Sequence, residues 1–246
     1  MRVVFDLSSV RLARLCCLVL LIGGLALPGA GKADSGEEIF VRLHTDAGEI
    51  LLLLQPELAP NHVANFRHLA QSGFYNGTYF HRIIPGFMIQ GGDPNTLDDT
   101  FNNDGQGGPT WQDVLTPDEA EQVASVVTML QAKGYALPDR ANLVAEFNAT
   151  LHVRGTLSMA RTQDPNSAGS QFFICVTRTA HLDNQYTAFG RVVLGMDVAD
   201  TIVNAPQRAG SGNIPLEPVR IVSVDVFGGT AGLSEPELAA WQQSQP

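Results

Sequence analysis

The chain has 246 residues, of which 15 are basic and 25 acidic, for a net charge of -10. That length builds one large domain or two small ones, and the acidic balance argues against nucleic acid as a partner while saying nothing about fold. Three cysteines give no disulfide framework, because Cys16 and Cys17 sit in an N-terminal apolar run and leave Cys175 alone.

Residues 1–33 read as a secretory signal peptide: Arg2, Arg11 and Arg14 precede the apolar run from Leu15 to Leu27, then come Pro28, Gly29 and small residues up to Ala33. The apolar run is shorter than the ~20 residues of a spanning helix, which favours removal over anchoring. The segment from Ile39 to Thr45 alternates apolar and polar residues, Asp46-Ala47-Gly48 supplies a turn, and Glu49 to Gln55 follows, so a hairpin is expected. The uninterrupted run Leu51 to Leu54 suggests a strand buried on both faces, with the next helix as its cover. That helix starts at Pro60, shows Val63, Phe66, Leu69 and Ala70 on one face, and ends at Gly73. His62 and His68 within it are six apart, a poor spacing for two metal ligands, and both read as surface histidines.

Tyr79 to Ile84 and Phe87 to Gln90 are two short strand signals joined by the turn residues Pro85-Gly86 and closed by Gly91-Gly92. Paired side by side, they would put Arg82 beside Phe87, Met88 and Gln90, one charged donor next to an apolar pocket and an amide. The competing reading of Arg82 is a solvated strand arginine. Residues 108–141 then read as a helical insertion, with Thr116 capping a helix from Pro117 and Val123, Val126, Val127 and Leu130 as its apolar stripe. Its role is either to act near the site or to pack on the flank. Two further strands, Gly155 to Ala160 and Gln171 to Val176, flank a polar loop with Pro165, Asn166 and Gly169. Ser158 and Ser170 lie in no nucleophile elbow, which speaks against a serine hydrolase. Cys175, between Ile174 and Val176, reads as a buried thiol. Thr187 to Leu194 is a strand, Gly195 to Val203 a second helix, and Val219 to Phe227 a final strand. In residues 229–246, Ser234 caps a short helix that carries Trp241, whose role the sequence leaves open.

The stretch FHRIIPGFMIQGGD, with GTLSMA at Gly155 to Ala160, SQFFIC at Ser170 to Cys175 and the block from Leu182 to Val192, resembles the cyclophilin family of peptidyl-prolyl cis-trans isomerases, over roughly residues 39–227. The resemblance implies a mainly β fold, a closed eight-stranded antiparallel barrel capped by two α-helices, spanning residues 34–228. It also implies isomerisation of X-Pro bonds in proline-containing polypeptides, with no cofactor and no metal. Carried over residue by residue, it makes Arg82 the catalytic residue. It assigns substrate contacts to His81, Ile84, Phe87, Met88, Gln90, Ala160, Arg161, Gln171, Phe173, Leu182 and Tyr186, with Phe173 as floor of the proline pocket.

The chain departs from the best-known pattern at three places. His181 stands where members that bind cyclosporin tightly have tryptophan, so weak binding of that drug is expected. Arg161 replaces an asparagine and Tyr186 a histidine, as in bacterial exported members, which points to the periplasm. Two other classes of function stand beside the enzyme: a holdase that binds proline-containing segments without turnover, and a scaffold whose insertion and tail dock a partner protein.

Overall fold

The structure of the chain is a computed structural model that describes residues 37–98, 100–115, 119, 128–129, 132, 140–210 and 213–245. β1 (Ile39–Thr45) and β2 (Gly48–Leu54) form the expected hairpin, in register from Ile39 opposite Leu54 to Thr45 opposite Gly48. Helix α1 (Pro60–Gln71) follows, started by proline at its first turn. Then come β3 (Arg82–Ile84), β4 (Met88–Gly91) and a four-residue helix α2 (Trp111–Val114). β5 (Thr156–Met159), β6 (Phe172–Cys175), β7 (Ala188–Leu194), α3 (Met196–Val203), β8 (Ile221–Gly228) and α4 (Glu235–Gln243) complete the described elements.

The strands make one eight-stranded antiparallel sheet in the order β3-β4-β6-β5-β7-β2-β1-β8, the mainly β architecture expected from the sequence. The sheet curls until its two ends meet. Closure is not a ladder between β3 and β8 but a short seam just before each of them: the Ile221 N–H donates to Thr78 O at 2.7 Å and the Phe80 N–H to Val219 O at 3.1 Å. Tyr79, expected at the start of a strand, instead forms the isolated bridge of that seam with Arg220.

Period-two alternation separates an inner face from an outer one. Ile50, Leu52 and Leu54 of β2, Ile83, Ile89, Phe172 and Ile174 point inward with Phe66 and Leu69 of α1 and Ile202 of α3. Both helices pack into this inner core, so α1 shares it with Leu52 and Leu54 of the leucine run but not with Leu51 and Leu53. Leu51 and Leu53 point outward and are covered, with Phe40, by Phe227, Leu233 and Trp241. The cover is thus the C-terminal tail. Helix α4 begins where Ser234 was expected to cap it, with the Glu237 carboxylate accepting from both the Ser234 N–H and hydroxyl at 2.7 Å. Arg42 fixes it to the sheet, donating to Glu237 at 2.8 and 2.7 Å.

Two histidine readings change. His62 is fully buried, because the Glu146 carboxylate accepts at the start of α1 from the N–H groups of Asn61 and His62 and lies 2.6 Å from the His62 ring. His68 is half-buried, with its Nε2 3.1 Å from Asp113 O. Cys175 is buried as expected, and burial pushes its thiol up to about 11. The signal segment 1–33 lies outside the described residues. So does most of the insertion helix, although the described Glu119, Thr128, Met129 and Ala132 are helical.

Candidate active site

The site is built on the outer face of β3, β4 and β6. Cross-strand register sets Arg82 opposite Gln90 and Gln90 opposite Phe173, one row across three strands; Ile84, Met88 and Cys175 form the next row. Alternation sends each row outward while Ile83, Ile89 and Ile174 fill the interior. A second apolar cluster results, Met88, Phe173, Cys175 and Leu182, with Ile84, Phe87, Ala160 and Tyr186 packed against it. Side chains from well-separated stretches of the sequence therefore converge on one patch.

Leu182 arrives on the short turn Ala180–Leu182, and Tyr186 stands with its ring edge-on to Phe173 at 5.8 Å. His181 is exposed, its ring 5.5 Å from Phe87. Arg161 is also at the rim: its guanidinium lies 4.3 Å over the Tyr186 ring and donates twice to Gln185 O, at 3.2 and 2.7 Å. It ties the loop that bears Tyr186 to the end of β5. The Ala160 N–H donates to Gln171 O at 2.8 Å, so what Ala160 offers to a chain lying on this face is its carbonyl.

The polar half of the site is a directed hydrogen-bond chain. Arg82 Nη1 donates to Gln90 Oε1 at 3.2 Å, Gln90 Nε2 to Gln171 Oε1 at 2.9 Å, and Gln171 Nε2 to Gly107 O at 2.9 Å. Each amide uses its oxygen on one side and its nitrogen on the other, which fixes both orientations. Where the chain ends, at Gly107, no side chain fits: an added Cβ would lie 1.9 Å from Asp93 Oδ1. Gly92 holds the exit of β4 for a like reason, with φ +80 and Ser170 O only 2.5 Å from where a Cβ would sit.

Arg82 is half-buried, and desolvation lowers its pKa while the guanidinium remains charged. Among the described residues no carboxylate pairs with it. Next to it His81 is 3% exposed with neither ring nitrogen hydrogen-bonded, and burial pushes its pKa down to about 4, so it is neutral at pH 7. It is buried and does not reach the open face.

The sequence did not single out His152. It is fully buried, stacks on Phe173 at 6.1 Å with rings 20° apart, and places Nε2 3.0 Å from Ser158 Oγ. Its N–H donates to Asp183 Oδ1 at 2.8 Å, and its carbonyl accepts from the Thr179 N–H at 2.8 Å. His152 thus backs the floor and holds the turn that carries Leu182. A lone histidine in an irregular segment before a strand gave no periodic signal by which to find it.

Ser158 is no nucleophile for the open face, since its Oγ is buried and donates to Thr187 O at 2.9 Å. Among the described residues there is no cluster of histidine, cysteine or carboxylate fit to hold a metal. What the site offers is an apolar cluster with Arg82 and Arg161 and a row of fixed amides at its edge.

The family model described as cyclophilin type peptidyl-prolyl cis-trans isomerase/CLD matches residues 40–226. A probable peptidyl-prolyl cis-trans isomerase of Brucella suis is 41% identical over 191 residues, 78% of this chain and 83% of that one. Peptidyl-prolyl cis-trans isomerase A of Dickeya dadantii is 38% identical over 194 residues, 76% of this chain and 84% of its own. Among solved structures, a cyclophilin-type isomerase of Cryptosporidium parvum superposes with a TM-score of 0.60 at 27% identity, covering 77% of this chain and 98% of its own.

Proposed function

Given that the chain belongs to the cyclophilin-type peptidyl-prolyl cis-trans isomerases and is an isomerase of that kind, we propose that Arg82 is its catalytic group and that exported polypeptides are its substrates. The barrier to amide rotation is about 18–20 kcal/mol, and unaided X-Pro bonds exchange over roughly tens to hundreds of seconds. Turnover in milliseconds needs that barrier lowered by about 5–7 kcal/mol. Binding the twisted amide more tightly than either planar form supplies it, with no covalent step.

In this reading Phe87, Met88, Phe173, Leu182 and Tyr186 grip the proline ring, with Ile84 and His81 supporting from beneath. Gln90, Gln171, Arg161 and the Ala160 carbonyl hold the chain on the other side of the bond. As the amide twists, its nitrogen loses conjugation and becomes a better acceptor, while charge shifts on the preceding carbonyl. A guanidinium held in place stabilises that charge distribution. The observation that carries the reading is Arg82 itself: half-buried at the edge of the apolar cluster, tied by one N–H to Gln90, and opposed by no carboxylate among the described residues.

The exported class of substrate and a periplasmic location are supported by residues 1–33, with the basic, apolar and small-residue order of a cleaved signal. His181 beside Phe87 offers no indole to cyclosporin, and weak binding of that drug is part of the proposal. The insertion enters just after Gly107, the carbonyl on which the amide chain ends, so a partner protein held there would sit beside the site.

The deciding experiment is cis-trans exchange of a short Ala-Pro peptide by NMR with the mature protein and with Arg82→Ala. The expected result is a loss of roughly 10²–10³ in kcat/KM with an unchanged melting temperature. Turnover within about twofold of wild type would remove Arg82 from the mechanism. Peptide binding without exchange by the intact protein would replace the enzyme with a holdase.

A further inference from the structure

Half of the large apolar side chains that stand exposed among the described residues fall in one segment of ten: Val144 at 57%, Phe147 at 43%, Leu151 at 52% and Val153 at 43%. The segment from 141 to 153 has no helix or strand, yet it is pinned along its length. The Leu143 N–H donates to Ala168 O at 2.8 Å, the Ala145 N–H to Asn166 Oδ1 at 3.0 Å, and the Glu146 N–H to Thr187 Oγ1 at 3.1 Å. Asn148 Nδ2 donates to Ala188 O at 2.9 Å, and the His152 N–H to Asp183 Oδ1. Glu146 also receives the first N–H groups of α1. Over residues 144–153 Glu146, Asn148 and His152 are tied to the protein behind them, and the exposed side chains are Val144, Phe147, Ala149, Leu151 and Val153. Such exposure is built into a held strap, and contiguous exposed apolar surface marks an interaction site.

The strap is continuous with the proline recess. The Phe147 ring lies 5.9 Å from the Arg161 guanidinium, Arg161 covers Tyr186 at 4.3 Å, and Tyr186 meets Phe173 edge-on at 5.8 Å. Floor, wall, rim and strap form one line of contacts. We propose that the strap 144–153 is an extended subsite for the substrate polypeptide, taking apolar side chains of an unfolded chain that flank the proline held in the recess. This rests on the isomerase reading of the recess. The occupant follows from that continuity and from the shape of the strap: unfolded chains expose apolar side chains and run extended, and a strap beside the recess meets such a chain at intervals along its length.

The test compares an Ala-Pro tetrapeptide with two longer peptides carrying the same bond, one flanked by leucines and one by serines. In the wild-type protein the leucine-flanked peptide has a KM about tenfold below that of the serine-flanked one. In Val144→Ser/Leu151→Ser, whose altered side chains are exposed and lie outside the recess, that advantage falls by about fivefold while tetrapeptide turnover keeps its wild-type value. Phe147→Ser lowers the advantage further. Equal KM for the two long peptides in the wild type overturns the subsite. A parallel loss for tetrapeptide and long peptide overturns it as well, by making the strap a support of the recess. A concentration-dependent dimer in sedimentation, lost in the double variant, would give the strap to a second copy of the chain. Affinities of the two long peptides by fluorescence anisotropy decide the subsite even if no peptide is turned over, an outcome that would defeat only the isomerase reading of the recess.

Discussion

The outer face of the sheet carries two small apolar clusters that differ in what covers them and in the partner of the nearby arginine. On β1 and β2, Phe40, Leu51 and Leu53 lie beneath Leu233 and Trp241 of the tail. On β4 and β6, Met88, Phe173 and Cys175 are buried instead by Ile84, Phe87, Ala160, Leu182 and Tyr186, all from the sheet and its own loops. Each cluster has its arginine. Arg42 is neutralised by Glu237 through two short hydrogen bonds, with Asp225 3.7 Å away, whereas Arg82 has an amide partner. Where the chain covers its own apolar patch and pairs the cation, the result is stability. Where sheet and loops alone pack the patch and the cation has only an amide for a partner, the arrangement is that of the proposed site.

The sharpest way to break the comparison is to remove the cover. A chain ending at Gly229 loses Trp241, uncovers Phe40 and the two leucines, and takes Glu237 from Arg42, which keeps Asp225 and Glu49 within 4.0 Å. The expected cost is about 4 kcal/mol, chiefly the apolar surface of Phe40, Leu51 and Leu53 returned in part to water at about 1.5–3 kcal/mol for each fully exposed side chain. Differential scanning calorimetry should show a melting temperature lower by about 10 °C, with Ala-Pro exchange at about 15 °C unaltered. An unchanged melting temperature would mean that the tail is an ornament. Arg82→Ala is the mirror case, activity lost and stability kept.

Acid separates the two regions next. The His81 pKa is depressed from 6.5 to about 4, so between those values the unfolded chain takes up a proton that the folded chain refuses. Stability is complete above about pH 6.5 and falls as the pH drops toward 4, by about 3 kcal/mol from this group. Glu237 is depressed from 4.5 to about 2 by its hydrogen bonds with Arg42, so its contribution is present above 4.5 and lost only below that. Urea unfolding at pH 7, 5 and 4 should show the fall, and His81→Asn should flatten it. The same slope in the variant would assign the titration elsewhere. The smallest effect belongs to the rim: Arg161→Ala releases the loop that carries Tyr186 and should raise the KM for Ala-Pro peptide about threefold with kcat unchanged, about what one cation-π contact supplies.

Much of this is legible because it is local. The β1–β2 hairpin is set by alternation around Asp46-Ala47-Gly48, and its register follows. Arg82, Gln90 and Phe173 come from two blocks whose spacing fixes which side chains share a face, and they meet in one row. Alternation shows that Leu51 and Leu53 are covered but not by what, and the nearest helix in sequence is not the cover. His62 reads as solvated because the carboxylate that receives it lies 84 residues away. Arg42 and Glu237 are 195 residues apart, and nothing short-range joins them. The role of His152 is hidden for the same reason, since its stacking on Phe173 exists only once β5 and β6 are paired.

The seam that closes the sheet has a kinetic consequence. Arg220 and Gly77, joined across it by a 2.8 Å hydrogen bond, are 143 residues apart in the chain, while the β1–β2 and β3–β4 hairpins can zip from their own turns. Loop-closure entropy places such a contact late, after β1 to β8 have been gathered. Until then both rims of the sheet present unpaired backbone, the state from which β proteins aggregate. The chain would therefore be most vulnerable in its own last folding step, and substitutions at Tyr79 or Arg220, whose contact this order places after the transition state, should speed unfolding more than they slow refolding.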